Sequence, residues 1–155
     1  MTNTSPVNRG LYFEEFEVGQ KVATVGRTVA ESDIFTFAGL SGDFNQIHTD
    51  ADFSKNAPFG QRVAHGLLGV AIASGLIMRV GMLEGTVIAF REINNWKFIN
   101  PIFIGDTIRV ETEVVEMKAL PRIGGGSVTI KLDVKKQSGE TTMRGTWTVL
   151  VLSKP

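Results

Sequence analysis

The run "GLLGVAIASGLIM", Gly66 to Met78, carries no charge, and His65 and Arg79 close it at either end. It is too short to span a membrane, for which about 20 apolar residues are needed. It reads instead as the heart of a helix over Val63–Val80. A helix that is apolar nearly all round must be covered on every side by other elements. The rest of the chain has to supply that cover. From Thr86 onward the texture is that of strands. "TIRVETEV" sets Ile108, Val110 and Val114 against Arg109, Glu111 and Glu113. "SVTIKLDVKK" alternates Val128, Ile130, Leu132 and Val134 with Thr129, Lys131, Asp133 and Lys135. This period of two is the mark of strands with one wet face and one dry face. "TVIAFREIN" and "WKFIN" read as earlier strands, ahead of Pro101 and a turn at Gly105-Asp106. "RIGGGS" and "QSGE" read as turns, the latter returning the chain into "MRGTWTVLVLS".

A long antiparallel meander and one buried helix have a common solution. The predicted class is α+β: a single hot-dog domain, with a curved antiparallel sheet wrapped around one long central apolar helix. Its outer edge strand needs covering, and a second copy of the chain does that. The front half is helical and irregular. Ala30–Leu40 is a predicted helix, with Glu31 and Asp33 at its positive end and Gly42 as its stop. Asp43–Gln61 reads as loop with one short turn at Ala51–Lys55, and Glu14–Thr28 as short strands around Gly19. Residues 1–9 are expected to be a disordered tail and residues 10–155 one domain.

Charge and cysteine content narrow the function. Sixteen basic and sixteen acidic residues leave no net charge, so there is no basic field for nucleic acid. The chain has no cysteine, which removes disulfides, thiolate metal sites and cysteine nucleophiles. That suits a reducing cytoplasm, and the polar N-terminus lacks a signal-peptide run.

The chemistry concentrates in "LSGDFNQIHTD", Leu40 to Asp50. Asp43 and His48, one of two histidines, follow a glycine break. Such a pair can bind a metal, move protons, or merely cap and pack. Two ligands are few for a metal, and His65 stands across a long loop. Asp43 and Asn45 past a helix end also suit backbone capping. Proton transfer gains from a second feature, "AHGLLG" at Ala64–Gly69. Gly66 opens the apolar helix, where backbone N–H groups lack partners and the dipole is positive. An N–H there can hold a carbonyl oxygen that gains negative charge.

The segment "FAGLSGDFNQIHTDADFS", Phe37–Ser54, resembles the signature of the MaoC-like, (R)-specific enoyl-CoA hydratase family: Gly-Asp-x-Asn-Pro-x-His followed by an acidic loop. "VAHGLLGVAIASGL" is similar to that family's central helix, and "WKFINPIFIGDTIRVETEV" to the strands after it. Gln46 stands where the family has proline, which would stiffen the loop. The resemblance implies that Asp43 and His48 hold the water added to a trans-2-enoyl thioester. It implies that His48 takes a proton as the water attacks C3 and that Asp43 delivers one to C2. Gly66 N–H would polarise the thioester carbonyl. Asn45, Ser74 and His65 are candidate substrate-binding residues. Phe44, Phe53 and Phe59 read as core or tunnel wall. Lys118 and Arg122 read as a solvated hairpin tip rather than phosphate ligands.

The expected activity is therefore hydration of an enoyl-CoA to an (R)-3-hydroxyacyl-CoA, or the reverse. No bound cofactor or metal is called for. The expected partners are an acyl-CoA or acyl-carrier-protein thioester and a second copy of the chain, with no nucleic acid and no membrane. A hot-dog thioesterase and a non-catalytic acyl-binding module are the alternatives.

Overall fold

The computed structural model describes residues 10–155, so the expected tail at residues 1–9 lies outside the described residues. Six strands form one antiparallel sheet in the order β1-β4-β5-β6-β3, with β2 also pairing with β4. They are β1 (Lys21–Ala23), β2 (Arg27–Thr28), β3 (Val87–Phe98), β4 (Thr107–Leu120), β5 (Gly125–Lys136) and β6 (Thr141–Leu152). The alternation read from the sequence sets the sheet's two faces. Ile108, Val110, Val114, Val128, Ile130, Leu132 and Val134 are all buried. They meet Leu68, Ile72, Ala73, Leu76 and Ile77 of the long helix α4 (Gly66–Val80) in one apolar cluster. Each large aliphatic chain so buried stabilises the fold by about 1.5–3 kcal/mol relative to exposure. This is the hot-dog arrangement. Among the described residues no helix is long and apolar enough to cross a membrane.

Helix α1 (Glu31–Ser41) begins one residue later than expected. Asp33 sets its start: one carboxylate oxygen accepts the Ala30 N–H at 2.8 Å and the other pairs with Arg27 at 2.6 Å. Gly42 ends it in the left-handed region, φ 81°. The loop expected over Asp43–Gln61 instead contains two short helices, α2 (Gln46–Thr49) and α3 (Ala51–Lys55). Asn45 and Asp50 start them, their side-chain oxygens accepting backbone N–H groups of the first turn.

Two expectations fail at α4. It starts at Gly66, not Val63; Val63 is extended and bridges to Phe103, and the Ala64 N–H bonds to the Ile102 carbonyl. Nor is it covered on every side. Leu67 is 65% exposed, and Ala71, Ser74, Gly75 and Met78 share its open side. The sheet edge is similarly bare. Among the described residues strand β3 pairs only with β6, and Val87, Ile88, Phe90, Ile93 and Phe98 along it are exposed. The missing cover follows from the sheet's extent: one chain's strands enclose one side of the helix. Phe44 and Phe53 are also exposed rather than core.

Candidate active site

Three of the residues picked out above converge. A carboxylate oxygen of Asp43, a nitrogen of His48 and a nitrogen of His65 lie within 4.8 Å of one another. Asp43 follows the Gly42 stop of α1, and its Oδ1 accepts the Asn45 N–H at 3.1 Å. His48 lies in α2 and is buried. Its Nδ1 is 2.7 Å from the Val63 carbonyl oxygen. A carbonyl can only accept, so the hydrogen sits on Nδ1 and Nε2 keeps its lone pair. Burial pushes the His48 pKa down, reinforced by the nearby His65; the Val63 bond and Asp43 pull the other way, and the net shift is below 6.5. At neutral pH His48 is therefore an unprotonated imidazole with a fixed tautomer, the state a general base needs.

His48, His65 and Gly66 line one cleft of about 470 Å³. Phe59, Leu67 and Phe98 are among its apolar walls. The first N–H groups of α4 open beside it, and the His65 side chain does not cap them. The Phe98 ring packs directly on Gly66: a Cβ built there would meet ring carbons at 2.7–3.3 Å. Sequence reading gave no hint of Phe98, because nothing local links it to the helix start 32 residues earlier. Of the expected aromatic walls, Phe59 is one. Asn45 spends its side-chain oxygen on the Ile47 N–H. Ser74 is not brought to the cluster. It lines a separate cavity of about 40 Å³ with Ile77, Leu83, Phe90 and Trp147. A second groove, of about 390 Å³, runs between α1 and α4 past Arg27, Phe37 and Arg79, away from the Asp43–His48 pair.

The same trio invites a metal reading, and its geometry argues against one. A ligated ion lies in the plane of each imidazole that holds it. The His48 and His65 rings are stacked, with centroids 3.8 Å apart and planes at 27°. Planes so placed meet about 8 Å from the ring centres, whereas an ion bonded at about 2.1 Å sits only about 3 Å out. Stacked planes at that angle do not share a point close enough for one ion to lie in both. Acid–base work needs no such convergence.

Comparison with known proteins places the chain in a family. The MaoC like domain matches residues 14–136. The chain is 36% identical over 112 residues to the 3-hydroxybutyryl-CoA dehydratase of Methylorubrum extorquens, covering 72% of this chain and 69% of that one. It is 41% identical over 99 residues to Protein MaoC of Klebsiella aerogenes, a match spanning 64% of this chain but only 29% of that longer protein. The solved structure of a monoamine oxidase regulatory protein from Archaeoglobus superposes with a TM-score of 0.87 at 40% identity, covering 94% of this chain and 97% of that one. With its matched span taking in the Asp43–His48 loop, α4 and most of the sheet, the chain belongs to the MaoC-like domain family.

Proposed function

We propose that the protein adds water across the double bond of a trans-2-enoyl thioester, or removes it from the 3-hydroxyacyl thioester. One observation carries this reading. His48 is held neutral, its Nδ1–H given to Val63, within 4.8 Å of the Asp43 carboxylate and in the same cleft as the start of α4. In hydration, His48 Nε2 takes a proton from water as its oxygen bonds to C3. The carbon–carbon double bond yields its pair toward the thioester carbonyl, whose oxygen gains charge. The Gly66 N–H holds that charge, and the proton taken from water passes from His48 by way of the Asp43 carboxylate to C2, so both side chains end as they began. The (R) product is the one that the family resemblance supports. Asn45 shapes the Asp43 loop. The acyl chain runs along the open side of α4, where Leu67, Ala71 and Ser74 follow Gly66. That gives Ser74 a contact with the substrate away from the reacting atoms. Coenzyme A or a carrier protein is the thiol partner, and the cytoplasm the setting. A second copy of the chain covers the bare β3 edge and completes the homodimer.

The test is loss of the conjugated thioester absorbance of crotonyl-CoA, with wild type beside Asp43→Asn and His48→Ala. Each variant is expected to lose about 100- to 10,000-fold in rate. Release of free thiol without formation of a hydroxyacyl product would point to thioester hydrolysis and overturn the reading. Tight acyl-CoA binding without turnover would reduce the site to a binding module.

A further inference from the structure

The mechanism above uses one of the chain's two histidines and leaves the other without a task. His65 is 3% exposed. Its Nε2 lies 2.8 Å from the backbone oxygen of Asp43, which can only accept, so the ring hydrogen is on Nε2. Its Nδ1 is then a bare acceptor, buried and with no hydrogen-bond partner among the described residues. Leaving such a group unsatisfied costs about 1–3 kcal/mol. A leucine or phenylalanine would fill the space without that penalty. The ring lies between Phe37, at 4.9 Å between centroids, and His48, at 3.8 Å. Nε2 is engaged with the Asp43 main chain, and Nδ1 is buried and can offer a substrate no hydrogen.

We propose that His65 is a positioning residue for the acid–base pair. Its Nε2–H holds the main chain of Asp43 so that the carboxylate stays within reach of His48. Its ring face supports the His48 imidazole. As the residue before Gly66, it also ties both to the first N–H groups of α4. The candidate proton donor, base and oxyanion donor thus share one side chain as a common support. The inference rests on the acid–base reading of Asp43 and His48, and it departs from the expectation that His65 binds substrate directly.

Two substitutions separate the parts. His65→Phe keeps a ring against His48 and removes the donor. His65→Gln keeps an N–H near the Nε2 position and removes the ring. With crotonyl-CoA, His65→Phe is expected to lose about 10- to 100-fold in kcat, as an ångström-scale misplacement does, with KM and Tm nearly unchanged. His65→Gln should recover most of that loss. Because the chain has two histidines, ¹⁵N-histidine labelling gives two imidazoles to observe. Long-range ¹H–¹⁵N spectra should show His65 protonated on Nε2 and His48 on Nδ1. In His65→Phe the amide signals of Asp43 and Phe44 should shift. Full kcat in His65→Phe, or His65 protonated on Nδ1, overturns the proposal. If wild type turns over no enoyl thioester, the hydration reading falls and the spectra alone decide. Amide shifts at Asp43 with an Nε2–H His65 uphold the positioning role, and their absence removes it. Should His65→Phe fail to fold, the wild-type tautomers and His65→Gln carry the same decision.

Discussion

Gly66→Ala tests whether the glycine serves the helix or the cleft. Gly66 is not in the left-handed region, and any L residue could begin α4 there. Alanine favours a helix over glycine by about 0.5–1 kcal/mol. Against that, the new Cβ would lie 2.7 Å from Phe98 Cε1, where contact normally needs at least about 3.4 Å. The ring must recede by most of an ångström. It can, because Phe98 is 56% exposed at the end of an edge strand; a strained rotamer costs about 0.5–1.5 kcal/mol. The opposing effects nearly cancel, leaving stability within about 1 kcal/mol and Tm within about 4 °C. Activity should not escape. The methyl group and the displaced ring both stand where a thioester carbonyl would meet the Gly66 N–H, and a misplacement of that size costs about 100-fold in kcat/KM. Differential scanning fluorimetry and the crotonyl-CoA assay measure the two quantities. Adding Phe98→Ala should restore part of the rate by relieving the ring. A Gly66→Ala protein with full activity, or one that loses rate only in proportion to a large drop in Tm, would refute the reasoning.

Three further outcomes are expected. The His48 pKa is depressed chiefly by burial, so the acidic limb of kcat/KM, where the base becomes protonated, should have its midpoint below 6.5; a midpoint above 6.5 would contradict this environment. Asp106 joins a partly buried network, accepting from Phe103 N–H at 2.8 Å and Gln137 at 3.0 Å and pairing with the buried Lys136 at 3.0 Å. Burial raises its pKa, but these partners outweigh it and the net shift is below 3.8. Its stabilisation is therefore complete above that value and lost as pH falls through the lower folded pKa; Asp106→Asn should cost about 2–4 kcal/mol in urea unfolding at pH 7 and flatten the acid dependence. Finally, Ile93→Lys places a charge on the apolar strip of β3 and should halve the particle mass seen by light scattering; an unchanged mass would move the interface elsewhere.

The sheet was legible because a single physical signal, the period of two, is local and repeated. Ile108–Val114 and Val128–Lys135 show it, and burial follows it, with Thr112 the one polar residue on the dry face. The bareness of α4 was not legible. A run such as Leu67–Ala71–Ser74–Met78 looks the same whether its cover comes from its own chain or from another. The Asp43–His48 pair was legible by spacing and resemblance. Phe98 and the stack of His48 on His65 were not, since each depends on how a distant strand or helix start returns to the loop.

The misplaced helix start shows why this boundary matters. The sequence between Val63 and Val80 is apolar apart from His65, Ser74 and Arg79, and that pattern alone does not decide between Val63 and Gly66 as the first helical residue. Had α4 begun at Val63, the Val63 carbonyl would have been spent on the Leu67 N–H inside the helix. Instead the Val63–Ala64 segment is extended. Its N–H groups bond to the Ile47 and Ile102 carbonyls at 3.1 and 2.8 Å, and the Val63 carbonyl is left to accept from His48. Three residues of delayed helix thus supply the acceptor that fixes the tautomer of His48. The same delay puts His65 at the junction, where its ring reaches the Asp43 carbonyl, and puts Gly66 first in line with free N–H groups. A backbone oxygen has no letter in the sequence, so the group that sets up the proposed base could be found only once the chain was folded.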